Sequence, residues 1–228
     1  MSIPITEPAA PATSSVAMIV TLSLVATLCG ILIVSAYQGT LSAVTANKRI
    51  VLERAVFKVI PGAASMKTFY ASSAGLVPAE GPLPEGGVAL HAAYDQTGRL
   101  QGIAAEAAAV GYSDVVRVLY AYDPQRQAII GFGVVSQRET PGIGDKIIFD
   151  AAFLKNFVAL DVTLNQDLNA LANAVKTVKH GTKTQPWQID AISGATVTSK
   201  AVGKGINDSA QRLLPLLVPN LSKLEAQP

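Results

Sequence analysis

The 228-residue sequence predicts an α+β protein: a single N-terminal transmembrane helix followed by one mixed domain of strands and helices. Three observations predict it. First, no Asp, Glu, Lys or Arg occurs from Pro8 to Asn47, although 15% of the whole chain is charged. Second, beyond residue 87 the apolar pattern shifts to short β-rich runs bounded by Gly, Pro and Asp. Third, helical patterns interrupt those runs without the steady alternation of a doubly wound sheet.

Residues 1–13 read as an N-terminal tail. Residues 14–38 hold the apolar run Val16–Tyr37 (VAMIVTLSLVATLCGILIVSAY). A membrane-spanning helix needs about 20 mostly apolar residues, and this segment has them. Tyr37 stands where an interfacial aromatic is expected. A cleaved signal peptide would carry a basic leader and an apolar core of about 7–15 residues. The first 47 residues contain no Lys or Arg, so a retained anchor is expected. Cys29, in mid-span, reads as a small apolar packing residue.

Residues 39–87 read as a stalk and a loop. Lys48–Ile60 carries a partly helical apolar pattern that Pro61-Gly62 ends. Residues 72–87, rich in Gly and Pro, are expected to be a loop. Residues 88–214 form the predicted domain. Val88–Tyr94 and Leu100–Glu106 flank the turn residues 95–98 as a hairpin. Val115–Ala121 and Ala128–Val135 are further strands. Helices are expected over Ala151–Val158, over Leu164–Val178 from the spacing of Leu164, Leu168, Leu171, Ala172, Val175 and Val178, and over Ser199–Leu214, which Pro215 ends. Residues 215–228 read as a tail.

Composition narrows the chemistry. Half of the residues are hydrophobic and the mean hydropathy is +0.36, which excludes a disordered chain. Net charge is +2, too mild for a nucleic-acid footprint. One cysteine excludes an internal disulfide, a multi-cysteine zinc site and a Cys-ligated iron–sulfur cluster within this chain. With two histidines, His91 and His180, isolated from one another, no metal site is expected. Chemistry must then come from an organic cofactor or from oxygen side chains.

Two stretches carry that potential. Asp190–Ser199 (DAISGATVTS) packs small residues and hydroxyls just ahead of a predicted helix. Glycine lets a ligand approach the backbone, and a helix N-terminus suits a phosphate. The same residues also fit an ordinary cap at Thr198 or Ser199. Glu139–Lys146 (ETPGIGDK) sets two glycines around Ile143, a loop able to lie against a flat ring, or a simple turn.

Together, in this order and after one anchor, the two stretches resemble the FMN-binding domain family. DAISGATVTS looks like its flavin-attachment motif and ETPGIGDK like its second marker. Gly111-Tyr112 with Val115–Ala121 is similar to the segment before it. Within that family the chain most resembles the G subunits of Rnf complexes, the ion-translocating ferredoxin:NAD⁺ oxidoreductases. The C subunits of Na⁺-translocating NADH:quinone oxidoreductases are a second choice. A cofactor-free, membrane-anchored assembly domain is a third. The resemblance spans the anchor and Val88–Ile206.

The resemblance implies a covalent FMN, phosphoester-linked to Thr196, with Ser193, Gly194 and Ala195 completing the attachment turn. It places Glu139, Thr140, Gly142 and Gly144 near the flavin ring. Asp190 and Ser193 match positions read by a flavin transferase, an implied partner. Gln137 departs from a histidine common in the family. Leu164–Trp187 matches the family pattern poorly. The implied role is electron relay between other subunits of a bacterial inner-membrane complex, with no catalytic residue and no metal of its own, and the domain in the periplasm. Lys48, Arg49, Arg54 and Lys58 after the span argue the opposite orientation, although large domains translocate largely regardless of charge. Trp187 and the arginines Arg117, Arg126 and Arg138 read as packing and solvated residues.

Overall fold

In the computed structural model, which describes residues 14–225, the chain divides after Ile50 into two compact units. Helix α1 (Ser15–Val59) is 45 residues long, about 68 Å at the helical rise. Up to Val44 its large apolar side chains are exposed, Leu22 and Ile33 among them. It is long and apolar enough to cross a membrane. The tail expected over residues 1–13 lies outside the described residues, as does the end of the tail expected over 215–228.

The second unit is built on a seven-stranded antiparallel sheet. Its strands are β1 (Ser65–Ser72), β2 (Gly75–Pro78), β3 (Val88–Tyr94), β4 (Leu100–Val110), β5 (Val115–Asp123), β6 (Ala128–Ser136) and β7 (Leu160–Asp161), in the order β2-β1-β3-β4-β5-β6-β7. Side chains alternate between faces, as the pleat requires. Leu90, Ala92, Ile103, Ala105, Val118, Tyr120 and Tyr122 face the larger core. Ala93, Ala104, Leu119 and Ala121 face a smaller one, closed by Val56, Val59 and Ile60. Gly131 makes the second contact possible, because a Cβ there would overlap the carbonyl oxygen of Val59.

Helix α3 (Thr196–Leu217) covers the larger face. The small residues of β4 let it come close: a Cβ on Gly205 would lie 3.2 Å from the Ala108 carbonyl carbon. Ser209 donates to the Glu106 carbonyl at 2.9 Å and bonds the Tyr120 hydroxyl at 3.0 Å, fixing the helix across two strands. Short α2 (Ala151–Leu154) leads into a 3-10 turn over Lys155–Phe157. A two-stranded parallel ribbon, β8 (Lys176–Val178) and β9 (Gln188–Asp190), precedes α3, and α4 (Ser222–Glu225) follows it.

Four expectations are corrected. The stretch 72–87 is not all loop, since β2 lies within it and pairs with β1. No helix forms over Leu164–Val178. Asn165 accepts the amides of Asn169 and Ala170, Leu168 adopts φ +55°, and the amides of Leu171 and Val175 donate to Gln211 and Asn207 on α3. Buried Leu164, Leu171 and Val175 supply the spacing that imitates a helix. The expected helix over Ala151–Val158 is one α-turn continued as 3-10. The last helix starts at Thr196, not Ser199, and runs through Pro215 to Leu217.

Candidate functional site

The two motif stretches meet in space. A cavity of about 370 Å³ is lined by Tyr112, Glu139, Thr140, Ile143 and Gly144 on one side, and by Gly194 to Thr198 on the other. Pockets of roughly 300–1,000 Å³ are the usual size for cofactors. Its mouth is apolar: Tyr112, Ile143 and Val197 are all exposed there.

Glu139 holds the two walls together. It lies just beyond β6 and is 5% exposed. Its carboxylate accepts the amides of Ser113 at 2.9 Å, Tyr112 at 3.2 Å and Asp114 at 3.3 Å, and the Thr198 hydroxyl at 2.5 Å. Burial pushes this carboxyl up, but the Thr198 hydroxyl and the three amides outweigh it, leaving Glu139 below the ordinary glutamate range and ionised. Two glycines make room for it. A Cβ on Gly111 would lie 2.5 Å from one carboxylate oxygen, and a Cβ on Gly144 2.6 Å from the other and 3.0 Å from the Thr198 hydroxyl.

The glycine-rich loop turns tightly, with the amides of Ile143 and Gly144 both donating to the Thr140 carbonyl at 3.1 Å. Gly142 takes φ +76° in this turn and does not line the cavity. Gln137 also has a structural task, because its side-chain oxygen accepts the Glu139 amide.

The opposite wall is the turn between β9 and α3. Ala191, Ile192 and Ala195 are buried, while Ser193 and Gly194 are exposed. Gly194 adopts φ +82°, a conformation that glycine tolerates best. Buried Ser199 pins the turn, donating to the Ala195 carbonyl at 2.9 Å and accepting the Ile192 amide at 3.1 Å. Thr196 begins α3 half-exposed at the cavity. Ala195 is the N-cap residue and supplies no side-chain cap.

Of the residues expected at the site, Thr196, Gly194, Ala195, Glu139, Thr140 and Gly144 thus line one cavity. Ser193 lines a smaller one of about 280 Å³, with Lys146, Phe149, His180 and Asp190. Thr198 and Tyr112 are additions. In the sequence Thr198 is legible only as a helix cap; the structure turns its hydroxyl onto Glu139. Among the described residues, no group of three or more His, Cys, Asp or Glu side chains is placed to hold a metal ion.

The donor set fits a flat cofactor with a phosphate. Apolar side chains rim the mouth, and the Thr196 hydroxyl stands at a helix N-terminus.

Comparison with known proteins bears on the same region. Residues 111–211 match the FMN-binding domain. The chain is 32% identical over 103 residues to the G subunit of the proton-translocating ferredoxin:NAD(+) oxidoreductase complex of Clostridium ljungdahlii, covering 45% of this chain and 48% of that one. It is 33% identical over 108 residues to the G subunit of an ion-translocating oxidoreductase complex from Methanosarcina acetivorans, covering 47% and 49%. The chain thus spans about half the length of the curated relatives it matches. In fold it is similar to Shewanella oneidensis NqrC, with a TM-score of 0.58 and 20% identity over 80% of this chain and 100% of that one. Residues 111–211, the stretch that holds both motifs, are thus what this chain has in common with the FMN-binding domain family.

Proposed function

We propose that the chain is a membrane-anchored electron-transfer subunit carrying FMN on Thr196, working within an Rnf-type complex that couples ferredoxin/NAD redox chemistry to ion translocation. The observation that carries this reading is the Thr198–Glu139 hydrogen bond, which closes the attachment turn and the Gly142–Gly144 loop around one cavity beside Thr196. The similarity to G subunits of ion-translocating complexes supports the complex. FMN supplies one- and two-electron chemistry, and the protein supplies position and electrostatics. Thr196 offers the ester oxygen, installed by a flavin transferase. Gly194 and Ala195 shape one wall, and Thr140, Gly144 and Glu139 the other. Gly142 bends the loop, and Ser193 marks the exposed tip of the turn. The ester prevents loss by dissociation, and the anchor holds the domain near membrane-embedded redox subunits, raising their effective concentration.

The chain is expected to give a band that fluoresces under ultraviolet light after denaturing electrophoresis, from a host that has the transferase. Thr196→Ala abolishes it, and peptide mapping places the added mass between Asp190 and Lys200. A dark wild-type band would favour the cofactor-free assembly domain. The NqrC-like fold keeps a second reading in play, a subunit of a Na⁺-translocating quinone reductase, and the identity of co-purifying subunits decides between the two complexes. We assign the domain to the periplasmic side of a bacterial inner membrane. Protease should then cut it in spheroplasts and spare it in inverted vesicles; the reverse pattern would put it in the cytoplasm.

A further inference from the structure

Asn156 makes an unusual set of contacts for a residue outside both motifs. It sits in the 3-10 turn after α2 and is 4% exposed. Its side-chain amide donates to the Phe153 carbonyl at 2.9 Å and the Asp190 carbonyl at 3.2 Å. Its oxygen accepts the Asp190 amide at 3.0 Å and the Lys183 ammonium at 3.1 Å. Both backbone groups of Asp190 are therefore paired to one side chain, as a neighbouring strand would pair them. Asp190 is the last residue of β9 and the first of the turn that leads to Thr196.

The support behind Asn156 is rigid. Phe153 and Phe157, on either side of it, pack with Phe132 of β6. The Phe132 and Phe157 rings stack at 4.2 Å, and Phe153 meets Phe157 edge-on at 5.3 Å. The same turn is held at further points. The Gly181 amide donates to the Asp190 carboxylate at 2.8 Å, His180 bonds the Ala191 carbonyl at 2.9 Å, and Ser199 closes the far end. Ser193 and Gly194 alone in this turn are left exposed.

We propose that Asn156, with Ser199 at the other end of the turn, is a positioning residue for the cofactor. Together they fix the Gly194–Ala195 wall against the Glu139 wall, and so set how the flavin ring attached at Thr196 is seated. This rests on the reading of Thr196 as the attachment point. The hydroxyl that forms the ester is separate from this device, so attachment and seating come apart. A buried amide with all its hydrogen-bonding capacity used is costly to disturb, and sites need their walls held to within about 0.5 Å.

The test uses the full chain, purified in detergent from cells that contain the transferase, with wild type, Asn156→Ala, Asn156→Asp, Ser199→Ala and Lys183→Ala. Flavin stoichiometry comes from intact mass, seating from flavin visible circular dichroism and iodide quenching, and folding from thermal denaturation. Asn156→Ala and Ser199→Ala are expected to keep the mass at Thr196 while the dichroism falls and quenching rises several-fold. Asn156→Asp keeps the acceptor for the Asp190 amide and should be intermediate. Lys183→Ala removes one of the two donors to the Asn156 oxygen and should fall between wild type and Asn156→Ala. Unchanged dichroism and quenching in Asn156→Ala and Ser199→Ala would overturn the proposal, as would loss of attachment in variants that remain folded. If Asn156→Ala fails to fold, Asn156→Asp and Ser199→Ala decide. Absence of flavin from the wild-type chain instead sinks the attachment reading itself.

Discussion

Glu139 gathers four hydrogen bonds on one carboxylate. Its carboxylate is buried with no cation in hydrogen-bonding contact among the described residues, and the amides of residues 112–114 and the Thr198 hydroxyl stabilise its charge. Removing one donor leaves that charge under-solvated. Thr198→Val keeps the shape and deletes the hydroxyl, and is expected to cost about 1–3 kcal/mol, read as a lower denaturant midpoint. A midpoint equal to wild type would show that the carboxylate does not depend on Thr198. His91 poses the opposite problem. It is buried in β3, bonded to Thr68 at 3.1 Å, and desolvation pushes its pKa from 6.5 down to about 4. Between those values the unfolded chain binds a proton that the folded chain refuses, so stability falls as pH drops from 6.5 towards 4. The shift corresponds to a contribution on the order of 3 kcal/mol. His91→Gln keeps a polar partner for Thr68 and removes the titration, and should flatten that part of the stability–pH profile; an unchanged slope would assign the effect to other groups.

At the scale of elements, legibility follows how local each signal is. The hairpin β3–β4 and the strands β5 and β6 show in short apolar runs with turn residues between them, and the structure forms all four. Strand β2 is hidden because its partner β1 dictates it, while its own Gly75 and Pro78 read as loop. The segment 164–178 misleads for a physical reason: its amides are satisfied by Asn207 and Gln211 of α3, more than 30 residues away, and no pattern within the segment can reveal that. Both motif loops are legible as composition. Their meeting depends on the Thr198–Glu139 contact across 59 residues, and the support from Asn156 depends on contacts across 34. The smaller core allows a direct test. Gly131→Ala would drive a methyl group into the Val59 carbonyl. Overpacking of this kind costs about 1–3 kcal/mol, so the denaturant midpoint should fall; a neutral result would mean that the end of α1 shifts freely on the sheet.

For the whole molecule, the charge distribution separates two solvents. The 18 basic and 16 acidic residues all lie outside Pro8–Asn47, and α1 exposes its apolar side chains where that stretch runs. In water those side chains carry a large hydrophobic cost; in a bilayer the cost disappears. The full chain is therefore expected to stay with membranes through an alkaline carbonate wash and to be released by detergent. Recovery in the carbonate supernatant would remove the anchor. The domain behind it folds around its own sheet and two cores, and it holds every residue assigned to the flavin.

Helix α3 begins at Thr196 with Ala195 before it, and so starts without the side chain that ordinarily satisfies first-turn amides. A phosphodiester on Thr196 would bring anionic oxygens to that end, where they interact favourably with the dipole. Maturation would then complete the helix as well as load the cofactor. Without that phosphate the first-turn amides lack a capping partner, a local weakness of about 1 kcal/mol. If Thr196 carries the ester, amide hydrogen exchange at residues 196–198 should slow on modification, and unchanged exchange would show that the phosphate leaves the helix start as it is.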